Sequence, residues 1–145
     1  MFDSEVRAIW LFFYLVTLDE NMAIAGASKA TDIFFQIMKR KPQTHPHVAA
    51  IQVMDQTSHE IFLSKIKTQD FRFQGIDLTN WVELRSRISP VQFYTLIWSQ
   101  VLKYSFEDIS VAIGATEGTI SYRVSEAVRA LGQILPGARI VKGKI

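Results

Sequence analysis

Residues 106–131 are FEDISVAIGATEGTISYRVSEAVRAL, and their spacing predicts two short helices joined by a tight turn. Ser105 stands where an N-cap belongs, and Asp108 follows three residues on, beside the free N–H groups of the first turn. Phe106, Ile109, Ala112 and Ile113 recur at helical spacing and give the first helix one apolar face. Gly114 ends that helix, because glycine adopts the left-handed turn conformation without a steric penalty. Thr116 is the next N-cap. In the second helix Ile120, Val124, Ala127, Val128 and Leu131 share one side, while Gly118, Tyr122, Ser125, Glu126 and Arg129 take the other. The pattern fits a helix-turn-helix unit that lays its second helix in a DNA major groove. It also fits an ordinary helical hairpin in an all-helical core.

The order Glu107-Asp108-Ile109, Ile113-Gly114, Glu117-Gly118-Thr119-Ile120, Arg123, Ala127 and Leu131 resembles region 4 of the bacterial sigma-70 family. It is most similar to the compact extracytoplasmic-function branch. The resemblance covers residues 84–135 and includes Ile88-Ser89-Pro90, which is similar to the start of region 4. LuxR-type helix-turn-helix modules share much of the pattern. The resemblance implies an all-α chain whose second motif helix reads the promoter −35 element and whose domain touches RNA polymerase. It implies base-edge contacts at Glu117, Gly118, Thr119, Ser121 and Tyr122, and phosphate contacts at Arg123 and Arg129. Thr119 and Arg123 match the family's recognition positions, whereas Ser121 and Glu126 stand where basic residues are common.

Upstream, Val6, Ile9, Trp10, Phe13 and Val16 keep helical spacing and predict a first helix that ends near Thr17. A second runs from about Met22 to Lys41. Its small residues Ala23, Ala25, Gly26, Ala27 and Ala30 allow close approach to a neighbour, and Lys39-Arg40-Lys41 suit the negative end of the helix dipole. Two such helices resemble region 2 of the same branch in part, where the second docks on the polymerase clamp. Asp32, Phe34 and Gln36 echo that docking motif, but Ser28-Lys29-Ala30 occupies the place of its consecutive acidic residues. A helical hairpin serving only as core fits these residues equally.

Pro42 and Pro46 end the second helix. His45-Pro46-His47 has no third metal ligand nearby in sequence and is expected to be a solvated loop, so no metal and no cofactor are expected. Val48 to Asp55 fits helix or strand and is assigned to helix from its surroundings. Thr57 and Glu60 form a capping-box pair that predicts a separate short helix through Ile61, Phe62 and Ile66. The division expected is an N-terminal helical domain over 1–67, a linker over 68–80 and a helix-turn-helix domain over 81–145. In the linker, Phe71-Arg72-Phe73 alternates aromatic and basic residues, as a single-strand platform would, or anchors the linker to a core. Trp81, Leu84 and Ile88 mark one side of a helix over 81–88. Ser89 and Pro90 then open a support helix to about Lys103, burying Phe93 or Tyr94, Ile97, Val101 and Leu102. Pro136-Gly137 ends the last helix, and Arg139, Lys142 and Lys144 make a basic tail.

Composition narrows the function classes. At 48% hydrophobic residues, the 145-residue chain can bury a core. It has no cysteine, which excludes disulfides and thiolate chemistry. The apolar run Ile9 to Val16 is too short to span a bilayer, and Asp3 and Glu5 sit where a signal peptide would be positive, so a cytoplasmic protein is expected. No phosphate-cradling glycine loop, nucleophile triad or carboxylate pair points to an enzyme, and no small-molecule substrate is expected. The net charge of +2 is mild for a nucleic-acid module; the six Lys/Arg and four Asp/Glu of residues 89–145 carry it. Two functions follow. One is a DNA-binding initiation or regulatory factor with promoter DNA as partner. The other is a sigma-like interaction module that binds RNA polymerase core, an anti-sigma protein or another regulator without reading DNA.

Overall fold

The computed structural model describes residues 2–62, 72–73, 76–77 and 79–134. The fold is all-α, with seven α-helices among the described residues. Among the described residues an antiparallel ladder of two residues per strand, β1 (Arg72–Phe73) and β2 (Ile76–Asp77), pairs Arg72 with Asp77 and Phe73 with Ile76. It lies within the stretch expected as linker.

Helix α1 (Asp3–Thr17) buries Ile9, Phe12, Phe13 and Val16, and ends on Leu18 in the left-handed conformation at φ 53°. Asp19 caps α2 (Glu20–Arg40), its carboxylate accepting from the Met22 N–H at 2.9 Å. The small residues of α2 act as expected: Ala23, Gly26, Ala27 and Ala30 are buried, and α2 packs along α1. Helix α3 is continuous from Pro46 to Phe62, so the separate helix expected to open at Thr57 does not exist over the described residues, and Ile66 lies outside them. Thr57 and Ser58 are buried in the packed side of α3, and burial overrides the local capping signal. Helix α3 contacts α1, α2 and α6.

Helix α4 (Thr79–Arg87) closes an open end of the bundle. The last carbonyls of any α-helix lack intrahelical partners. Two of those in α1 are met here, because Trp81 Nε1–H donates to Leu15 O at 2.8 Å and Arg85 Nη1–H to Val16 O at 2.7 Å. The two donors stand four residues apart on one face of α4. Burial lowers the Arg85 pKa from the ordinary guanidinium value, while the neighbouring Tyr94 raises it.

Ser89 opens α5 (Pro90–Leu96) with a full capping box to Gln92 and proline at the first helical position. The expected helix to Lys103 does not stay α-helical. A π-helical turn, Ile97–Val101, follows, closed by Leu102 N–H to Ile97 O at 2.9 Å. The wider turn rotates the residues after it. Trp98 and Ser99 enter the core, and Val101, expected inside, is 40% exposed. Trp98 stacks on Phe12 of α1, with ring centroids 5.7 Å apart and planes 11° apart, and Tyr94 leans on Phe12 at 5.5 Å. Each buried aromatic ring contributes about 1.5–3 kcal/mol of transfer free energy. Helices on both sides of residues 68–80 thus share one continuous hydrophobic core.

Helices α6 (Phe106–Ile113) and α7 (Glu117–Ile134) complete the fold. Pro136-Gly137 and the basic tail lie outside the described residues.

Candidate nucleic-acid interface

The α6–turn–α7 unit is built from the local signals already visible in its sequence. Ser105 Oγ accepts from the Asp108 N–H at 3.0 Å, and Gly114 ends α6 at φ 71°. Thr116 Oγ1 accepts from the Thr119 N–H at 3.1 Å at the start of α7. Each such cap stabilises a helix by about 1 kcal/mol. Ile109 of α6 and Ile120, Val124 and Ala127 of α7 are buried, with α5 and α4 packed against α7. Val128, expected on the inner side, is instead 43% exposed: on the helical wheel it lies at the edge of the apolar stripe, next to Ser121 and Ser125.

The outer strip of α7 contains Gly118, Ser121, Tyr122, Ser125, Val128 and Arg129, all exposed. Glu117 is exposed and Thr119 is half-buried, its hydroxyl 2.9 Å from that of Thr116. Glu117, Gly118, Ser121 and Tyr122 are thus all exposed in the N-terminal half of α7, Tyr122 at 64%.

The two predicted phosphate contacts separate. Arg129 is on the outer strip, 3.4 Å from the carboxylate of Glu126. Arg123 is not on that strip. It lines a cleft of about 250 Å³ between α3, α5 and the turn, together with Asp55, His59, Val91, Tyr94 and Trp98. Position 123 lies about 100° further round α7 than Tyr122, towards the buried stripe of Ile120 and Ala127, so its guanidinium is directed to the cleft and away from a groove.

Electrostatics in the cleft are mixed. Burial raises the Asp55 pKa, and the charges of His59 and Arg123 pull it back without cancelling the shift. His59 Nε2 is 3.7 Å from Asp55 Oδ1, one helical turn away. Burial pushes the Tyr94 hydroxyl above the ordinary phenol value, against a hydrogen bond with Ser58 that lowers it. The indole N–H of Trp98 is buried and has no hydrogen-bond partner among the described residues. Nothing in this set matches a nucleophile activated by a neighbouring base.

The residues expected to dock a partner do not form one surface. Asp32 and Gln36 are exposed, but Phe34 is fully buried, edge-on to Phe2 at 5.3 Å. Its neighbour Phe35, 45% exposed, is the aromatic that faces out. Adjacent helical positions differ by 100°, and the apolar stripe of α2 takes Phe34 with Ala30 and Met38.

The fold also supplies what the sequence around His45-Pro46-His47 lacks. Asp108, on the first turn of α6, lies 3.3 Å from His47 Nδ1. No short-range spacing signals this pair, because 61 positions separate the two residues.

No protein-family model, curated protein or solved structure matches the chain. Among the described residues, no helix is long and apolar enough to cross a membrane.

Proposed function

We propose that the chain is a helix-turn-helix DNA-recognition factor of the transcription-initiation type, and that it meets promoter DNA within a larger assembly rather than alone. The observation that carries this reading is the exposed strip Gly118, Ser121, Tyr122 and Ser125 on the N-terminal half of α7, the part of a recognition helix that meets base edges. Charge supplies the second half of the reading. Residues 106–134 carry two arginines against four carboxylates. One of those arginines lines the cleft and the other shares its charge with Glu126. Phosphate neutralisation supplies most of the free energy with which proteins hold DNA, so this surface alone holds it weakly. The resemblance to sigma region 4 makes RNA polymerase core the partner that supplies the missing affinity.

The test is promoter binding with and without polymerase core, followed by fluorescence anisotropy over a salt series. Weak binding by the free protein is expected, with a log–log salt slope of roughly −1 to −2. With core present, Ser121→Glu should abolish the promoter preference by placing a charge against the groove. Equal promoter binding by the wild type and Ser121→Glu in the core-bound state would overturn the reading.

A second reading is favoured by a specific observation. Val111 of α6 and Tyr122 and Val128 of α7 are exposed at 61%, 64% and 43%, large apolar side chains left open to solvent on both helices of the unit. A protein partner of the anti-sigma or regulator kind would bury them. Under that reading a small helical protein co-purifies with the chain, Val111→Asp abolishes the capture, and DNA does not compete.

A further inference from the structure

We propose that His45, His47 and Asp108 bind a divalent transition-metal ion that pins the start of α3 to the start of α6. One ligand atom from each of these residues lies within 4.8 Å of the other two. His47 Nδ1 and Asp108 Oδ2 are 3.3 Å apart. Two ligands bonded at about 2.0–2.2 Å to one tetrahedral ion stand roughly 3.3–3.5 Å apart, so this pair already has the spacing of a shared ion. His45 closes the set. Its exposed Nδ1 accepts the His47 N–H at 3.2 Å, a bond that is readily exchanged as the ring turns to the ion.

The surroundings point the same way. The second nitrogen of His47, Nε2, faces Glu5 Oε1 at 3.8 Å, and Glu5 is buried. A carboxylate behind a ligating imidazole is the usual outer-shell arrangement at metal sites, where it fixes the ring and raises its basicity. The same neighbourhood is rich in negative charge. Glu5 and Asp108 lie on either side of His47, and the Tyr104 ring packs against the imidazole at 5.1 Å. Among the described residues the only ion-pair partner of Glu5 and of Asp108 is His47; neither is paired with a lysine or arginine. Two carboxylates held by one imidazole leave a place for a cation. The positive ends of the α3 and α6 dipoles oppose a metal ion there, but they are partial charges set against two full ones.

Two imidazoles and one carboxylate suit zinc, cobalt, nickel or copper, and do not suit magnesium or calcium, which take oxygen ligands. Solvent at the exposed side completes the coordination. Because His47 and Asp108 belong to opposite sides of the linker stretch, the ion cross-links the N-terminal helices to the helix-turn-helix unit. Metal binding then stabilises the folded state by mass action, multiplying the folding equilibrium about hundredfold at a free ion concentration of 100 times Kd.

The experiment is calorimetric titration of the chelator-stripped full chain with zinc chloride, paired with thermal melts and with the visible absorption of the cobalt form. Saturable 1:1 binding, a rise in Tm and an intense tetrahedral cobalt spectrum are expected. His45→Ala removes an exposed side chain and its bond to the His47 N–H, and it should weaken zinc binding at least tenfold while the metal-free protein loses no more stability than one helix cap supplies. Asp108→Asn should do the same. His59→Ala should bind zinc as wild type does, since His59 lines the separate cleft with Asp55 and is not one of the three ligands. Absence of saturable 1:1 binding, unchanged affinity in His45→Ala, or loss of binding in His59→Ala would each overturn the assignment.

Discussion

The two sides of α7 obey different constraints. Its inner side, with Ile120, Val124 and Ala127 buried on α4, α5 and α6, is a closely packed apolar stripe in which every position is set by its neighbours. Its outer side, from Gly118 to Arg129, carries the exposed residues Gly118, Ser121, Tyr122, Ser125, Val128 and Arg129. The inner side makes the helix-turn-helix a fold. The outer side decides whether it recognises DNA. Between the two faces lies Arg123, which the geometry assigns to neither, since it lines the cleft with Asp55 and His59. Substitutions on the three surfaces should therefore separate into stability effects, binding effects and pH effects.

The largest effect is expected inside. Ile120 is fully buried, and Ile120→Asp forfeits about 1.5–3 kcal/mol of apolar burial and adds the cost of an unpaired buried carboxylate. The total is about 4 kcal/mol or more, against a stability of roughly 5–15 kcal/mol for a natural domain. Because one core joins both halves of the chain, the loss should melt α1 to α7 together and not the C-terminal helices alone. Circular dichroism melts that kept wild-type Tm would disprove the register of α7; a two-step melt would show that the halves unfold separately.

Outside, the effects move to binding. Tyr122→Ala and Arg129→Ala remove exposed side chains, so Tm should stay within the shift given by about 0.5 kcal/mol. Under the proposed function, with polymerase core present, Tyr122→Ala should lower promoter affinity several-fold, and Arg129→Ala should flatten the salt slope by roughly 1. Arg123→Ala sharpens the comparison because it distinguishes the cleft from the groove. If Arg123 stays in the cleft, its removal leaves the salt slope unchanged. A slope flattened by roughly 1 would instead place Arg123 on phosphate in the DNA-bound form, with the cleft opened.

These contrasts follow how much each region depends on local chemistry. The caps at Ser105 and Thr116 and the glycine turn at Gly114 act within four residues, so the sequence alone predicts the α6–α7 unit and its inner stripe. Thr57 and Glu60 carry the same kind of signal and mislead, because the packing of Thr57 and Ser58 against distant helices extends α3 through them. The π turn at Ile97–Val101 has no sequence marker; it brings Trp98 onto Phe12, a contact between residues 86 positions apart. Phe34 and Phe35 are chemically alike, and only the packing of α2 assigns one to the core and the other to solvent. The site residues divide in the same way. The outer strip of α7 follows from helical periodicity, whereas the cleft position of Arg123 and the approach of Asp108 to His47 arise only when α3 packs on α6.

The smallest effect is expected at the wall of the cleft, and its sign tests whether burial or the neighbouring charges dominate there. Asp55 has a folded pKa raised above its ordinary value of 3.8, with burial the leading cause and His59 and Arg123 opposing it. A carboxyl raised on folding favours the folded state while it is protonated, below 3.8, and that contribution is lost as pH rises through the folded pKa. At neutral pH the ionised group therefore weighs slightly against folding. Asp55→Asn keeps the shape and removes the charge, so its Tm should exceed that of wild type at pH 7, with the gain vanishing below the ordinary carboxylate range. Paired melts between pH 3 and pH 7 measure that difference. A variant less stable than wild type at pH 7 would mean that the attraction of Arg123 and His59 outweighs burial. The cleft would then be an ion-paired joint between α3 and α7, and Arg123 would be held from the outer strip of α7 by more than packing.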